Sequence, residues 1–128
     1  MNMIELLHGE SGQRPVSAGQ TIFSEGDGGD VMYVILEGEA DIFVGHELVE
    51  TAGAESVLGE MALIDNQPRS ATVVARTDCR LLPIDGGKFD ALTRRTPDFA
   101  RIIMKVMAER VRNMNRRNMA LLEHAIKF

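Results

Sequence analysis

The sequence predicts a mainly β domain that finishes in helices. Three observations carry this. Short β-branched and apolar runs recur about every 8–12 residues through the first two-thirds of the chain, separated by Gly, Asp and Asn. From Gly86 the apolar spacing lengthens to that of a helix. At 128 residues the chain fits one domain and can bury a core without disulfides, and Cys79 is its single cysteine.

Each element has its own signal. Met3, Ile4 and Leu7 make residues 1–8 a weak amphipathic helix, broken by Gly9 to Gly12. Arg14 to Ala18 reads as a short strand, Ala18-Gly19-Gln20 as a turn and Thr21 to Phe23 as a second strand. The run E-G-D-G-G-D over Glu25 to Asp30 is a turn cluster. Val31 to Leu36 is β-rich, and Glu37-Gly38-Glu39 is a tight connection. Ala40, Ile42 and Val44 alternate with Asp41 and Phe43, and Gly45-His46 turns that strand into His46 to Thr51. Ala52 to Glu55 is a loop. Strands follow over Thr72 to Ala75 and Arg80 to Ile84, with Asp78 at the turn. Lys88, Phe89 and Leu92 suit a short helix that stops before Thr96-Pro97. Thr96 is an N-cap and Pro97 a first-turn residue for a long helix reaching about Ile126. Strands in this pattern form a sandwich or a barrel.

Between the strands lies Val57 to Thr72, V-L-G-E-M-A-L-I-D-N-Q-P-R-S-A-T. Met61 to Ile64 is long enough for about one helical turn. A glycine-led helical turn followed by an arginine is a plausible anion cradle, since amides at a helix start lack intrahelical partners and arginine forks onto phosphate oxygens. Arg69 is the one Lys or Arg between Pro15 and Ala75. The alternative is an arginine that pairs with nearby acids.

G-E-M-A-L-I followed by P-R-S-A-T closely resembles the phosphate-binding cassette of the cyclic nucleotide-binding domain family. The likeness extends upstream through A-G-Q-T-I-F-S-E-G-D and V-M-Y-V-I-L-E-G-E-A. It implies an eight-stranded jelly-roll barrel at about 13–85, with a short N-terminal helix, a cassette helix and C-terminal helices at about 86–126. It also implies site roles. Glu60 accepts from the ribose 2′-hydroxyl and Arg69 pairs with the cyclic phosphate. Gly59, Met61 and Ala62 lend backbone groups, and Ser70 and Ala71 approach the phosphate. Ile42, Val49 and Leu58 are candidates for the apolar wall, with ordinary core as the other reading; Leu58 stands where the family often has an aromatic. Arg110, in the pair Glu109-Arg110, covers the purine, unless that role falls further along at Met114 and Asn115. In the family, Thr directly after the cassette arginine favours cGMP and Ala favours cAMP. Ser70 lies between them, so modest discrimination leaning to cAMP is expected.

The implied function is a sensor of cAMP, with cGMP as the other candidate: a binding module, not an enzyme, with no cofactor. The alternatives are a ligand-free interaction scaffold or a sensor fragment of a larger regulator or channel. His8, His46 and His124 show no metal-ligand spacing, and no nucleophile pattern stands out. A full transcription regulator would carry a helix-turn-helix after the long helix, whereas this sequence stops at Phe128. No run of about 18 apolar residues predicts a membrane span, and no signal peptide is visible, so a cytoplasmic protein is expected. The net charge of −5 divides unevenly: residues 1–87 hold four Lys/Arg and fifteen Asp/Glu, residues 88–128 ten and four. A basic helix docked beside an acidic barrel explains this better than nucleic-acid binding. Met104, Met107, Val111, Met114, Asn118, Leu121 and Ala125 follow an a/d spacing, which predicts a homodimer through the long helix, with an effector protein still to be identified.

Overall fold

Eight strands fold into two four-stranded sheets in this computed structural model, which describes residues 2–126, with side chains through Arg116. The chain runs α1 (Met3–Leu7), β1 (Arg14–Val16), β2 (Thr21–Phe23), β3 (Val31–Glu37), β4 (Ala40–Val44), β5 (Glu47–Ala52) and β6 (Val57–Leu58). It continues through α2 (Met61–Ile64), β7 (Thr72–Ala75), β8 (Cys79–Asp85), α3 (Gly86–Arg95) and α4 (Asp98–Ile126). One sheet has the order β1-β8-β3-β6 and the other β2-β7-β4-β5, and every pairing is antiparallel. The jelly roll therefore takes the form of a two-sheet sandwich and does not close into a barrel.

The two sheets differ in a way their sequences record. In β3, Met32, Val34 and Leu36 face the helices, while Tyr33 and Ile35 face the opposite sheet. In β8, Leu82 and Ile84 take the helical side and Cys79 and Leu81 the sandwich side. A strand buried on both faces needs an unbroken apolar run, which V-M-Y-V-I-L supplies. The other sheet meets solvent on its outer face. In β7, Val73 and Ala75 are buried while Thr72 and Val74 are half-buried. Strand β6 is two residues long and has no turn signal of its own; it is held by pairing of Val57 with Val34 and Leu58 with Tyr33.

The helices close one face. Asn2 caps α1, its side-chain oxygen accepting from the Glu5 N–H at 2.8 Å. Asp85 caps α3 in the same way through the Lys88 N–H. Thr96 serves both sides of the α3–α4 corner with its backbone: its N–H donates to the Leu92 carbonyl and its carbonyl accepts from the Phe99 N–H. Phe99 is fully buried and meets Phe89 edge-on, with ring centres 5.4 Å apart. Together with Leu92 and Ile103 it joins Met3 and Leu7 of α1 over the first sheet.

Two ion pairs tie the basic helices to the acidic first part of the chain: Arg95 to Glu10 at 2.8 Å and Arg110 to Glu60 at 3.4 Å. Of the anticipated α4 seam, Met104, Val111 and Met114 are exposed. Met107 packs against the domain's own core, and Asn118, Leu121 and Ala125 lie outside the described side chains. Cys79 is buried, its Sγ donates to the Glu39 carbonyl, and loss of hydration pushes the thiol pKa up, as suits an inert core thiol.

Candidate functional site

Residues that lie far apart in the chain meet where α2 and the start of β7 approach α4. Strands β4, β6 and β7 form the floor of a cleft, the α2 turn one wall, and Arg110 of α4 reaches in from above. Ten of the eleven anticipated site residues line it: Ile42, Leu58, Gly59, Glu60, Met61, Ala62, Arg69, Ser70, Ala71 and Arg110. Val49 does not; it lies on β5, outside that lining. The β4–β5 register shifts between Ile42 and Phe43, so alternation counted from Ile42 does not carry across to β5.

Arg69 is the centre of the site. Its residue is 7% exposed, the one buried charged residue among the described ones. Its Nη1 donates to the Gly59 carbonyl at 3.1 Å and its Nη2 to the Val31 carbonyl at 2.7 Å. The guanidinium carbon sits 4.3 Å from the centre of the Phe23 ring, a cation–π contact. Nε is buried without a partner, and no carboxylate pairs with the guanidinium among the described residues. The surface ion pair considered from sequence is thus absent. A buried cation without an anion is costly, and a ligand anion would supply the missing charge.

The backbone around Arg69 is built to keep it there. The Gly26 N–H donates to the Arg69 carbonyl and the Arg69 N–H to the Asp27 carbonyl, each at 2.8 Å, so the glycine-rich loop is bolted to the cassette. Gly59 has φ +73°, and a Cβ there would collide with Nη1 of Arg69. At Gly29 a Cβ would stand 2.7 Å from Nη2. With four residues, α2 carries a weak dipole, so the countercharge for an anion falls mainly to Arg69.

Glu60 and Arg110 form the other half. Nη1 of Arg110 lies 3.4 Å from both carboxylate oxygens of Glu60, and Nη2 donates to the Val57 carbonyl at 2.5 Å. Both side chains are about one-fifth exposed. Arg110 is therefore a tether between α4 and the cassette, and not a solvated helix charge. Met114 and Asn115 are exposed and outside the cleft lining. Sequence reasoning missed Phe23, Gln67, Pro68 and Val73 as lining residues. The signal at hand for Gln67 and Pro68 was their place inside the cassette, whereas nothing local marks Phe23 as the platform for Arg69.

Comparison with known proteins identifies the family. The family model for the cyclic nucleotide-binding domain matches residues 13–96. A cAMP-dependent protein kinase regulatory subunit of Eremothecium gossypii is 44% identical over 73 residues, covering 57% of this chain and 16% of that protein. A cyclic nucleotide-gated potassium channel of Rhizobium etli is 41% identical over 97 residues, covering 76% of this chain and 27% of that protein. The solved catabolite activator protein of Thermus thermophilus superposes with TM-score 0.73 at 29% identity, over 91% of this chain and 62% of that one. The chain belongs to the cyclic nucleotide-binding domain family, a family of regulatory binding domains. It spans roughly a quarter or less of the length of those two sequence relatives.

Proposed function

We propose that the cleft binds a cyclic nucleoside monophosphate, cAMP ahead of cGMP, and that the 128 residues act as one non-catalytic sensor domain in the cytoplasm. The observation that carries this is the buried guanidinium of Arg69 at the cassette turn, which no carboxylate pairs with among the described residues. The cyclic phosphate would take its open Nε, with Ser70 adding a hydroxyl. Glu60 would accept from the ribose 2′-hydroxyl. It is now held by Arg110, so a nucleotide would compete for the carboxylate on which α4 is moored. That exchange is the output step of the proposal: the ligand changes what α4 is tied to, and α4 passes the change to a second copy or to an effector protein. No cofactor is needed.

Titration of nucleotide-stripped protein with cAMP and cGMP tests the reading. Saturable binding of cAMP is expected, with the preference over cGMP within about 1–2 kcal/mol because Ser70 lacks the methyl that fixes the rotamer of threonine. Ser70→Thr should move the preference toward cGMP. Binding of neither nucleotide would favour the ligand-free scaffold, and a strong cGMP preference lost in Ser70→Ala would reverse the base assignment.

A further inference from the structure

Behind the cassette turn lies a second cavity, of about 370 Å³, between α2, α3, α4 and the start of β3. The turn is the partition. Met61 and Ala62 face the nucleotide cleft, while Leu63 and Ile64 face the second cavity, and Glu60 borders both. Its body is apolar, lined by Met32, Leu63, Phe89, Ile103 and Met107. Among the described residues its charged lining is Glu60 and Asp90, with no Lys or Arg. A largely apolar pocket of a few hundred Å³ bordered by a small number of polar groups is the usual form of a small-molecule site. The cavity opens to solvent beside Ile64, which is 75% exposed, so a ligand body would cover apolar surface that water now meets.

We propose that this cavity is a second ligand site, for a compact amphiphilic monocation: an aromatic or aliphatic body among the methionines and Phe89, and an ammonium-type group at the two carboxylates. Charge complementarity selects the class. A neutral body would gain the apolar contacts alone, and an anion would face Asp90 and the Glu60 carboxylate, whose ion-pair partner Arg110 lies outside the cavity lining. A cation at Glu60 competes with Arg110 for the same oxygens, so occupation of the cavity alters how α4 is moored. The site itself stands independently of nucleotide binding; its coupling to the cleft rests on the reading above.

Three probes that share an indole ring with a two-carbon side chain and differ in charge test it: tryptamine, tryptophol and indole-3-acetate, titrated into the full chain without nucleotide and followed by protein NMR shifts. Saturable tryptamine binding that perturbs Leu63, Phe89 and Met107 is expected, about fivefold or more tighter than tryptophol, with indole-3-acetate weakest. Asp90 is exposed on α3 and outside the nucleotide cleft, so Asp90→Asn should fold normally. That variant should weaken tryptamine a few-fold and leave nucleotide affinity unchanged. Saturating tryptamine should shift cAMP affinity of the wild type at least about threefold. Absence of saturable tryptamine binding, or indole-3-acetate binding best, overturns the site. Tryptamine binding with cAMP affinity unmoved overturns the coupling alone, and failure of cAMP to bind while tryptamine does overturns the nucleotide reading and leaves the site.

Discussion

Arg69 carries more structure than its sequence context indicates. On sequence alone it is the ligand-facing cation of the cassette turn, and its removal leaves the fold nearly intact if the side chain is exposed without ligand. In the fold it is buried and joins Gly59 to Val31, two points that the chain separates widely. Arg69→Ala should therefore do two things: remove about 2–5 kcal/mol of nucleotide binding, and lower stability by about 1–3 kcal/mol as carbonyls lose their donor. Thermal melts with and without cAMP separate the effects. The variant should melt lower than wild type, and added cAMP should not raise it, whereas ligand at about 100 times Kd adds about 2.7 kcal/mol to a competent site. Arg69→Lys keeps the charge but cannot fork to both carbonyls, and should recover little of either. An Arg69→Ala protein that cAMP still stabilises would remove the phosphate role. Local identity at the site was legible because cassette chemistry sits in consecutive residues, Gly59 to Ala62 and Arg69 to Ala71. Phe23 was not legible, since its role as the ring under Arg69 depends on β2 pairing with β7.

Among the elements, the strands with alternating or continuous apolar runs were legible, and so were α3 and α4, through the change of spacing at Gly86 and the break at Thr96-Pro97. Strand β6 was hidden. Two residues, Val57 and Leu58, show no period, and they become a strand because β3 offers its edge. The mooring of α4 was partly legible: Glu109-Arg110 marked the place, but the partner Glu60 lies fifty positions away. Arg110→Met keeps the side-chain stem and removes the charge. Hydrogen exchange of ligand-free protein should then speed up about tenfold in the α4 turns around residue 110, and cAMP should no longer change exchange there. Unchanged protection would mean that the packing of Phe99 and Ile103 alone holds the helix.

For the molecule as a whole, the charge division was legible as counts, and the fold gives it a use in the Arg95–Glu10 and Arg110–Glu60 pairs. Assembly is the open expectation. Met104, Val111 and Met114 remain exposed, while Met107 turns inward, which weakens the seam but leaves an apolar stripe for a second copy. Molar mass by light scattering should show a concentration-dependent dimer that Val111→Glu with Met114→Glu abolishes. A wild type that stays monomeric at high micromolar concentration, with and without cAMP, would exclude the helix-mediated dimer. The strand pairing has a consequence for synthesis. Strand β1 pairs only with β8, and the apolar β3 takes its longest partner from β8 as well. Strand β1 cannot pair, and β3 has only the two-residue β6 beside it, until Cys79–Asp85 has left the ribosome, so a nascent chain carries most of V-M-Y-V-I-L uncovered through much of its elongation. The acids on either side, Glu25, Asp27 and Asp30 before it and Glu37 and Glu39 after it, stand where gatekeeper charges flank an apolar strand, and their removal should raise aggregation of the nascent or refolding chain.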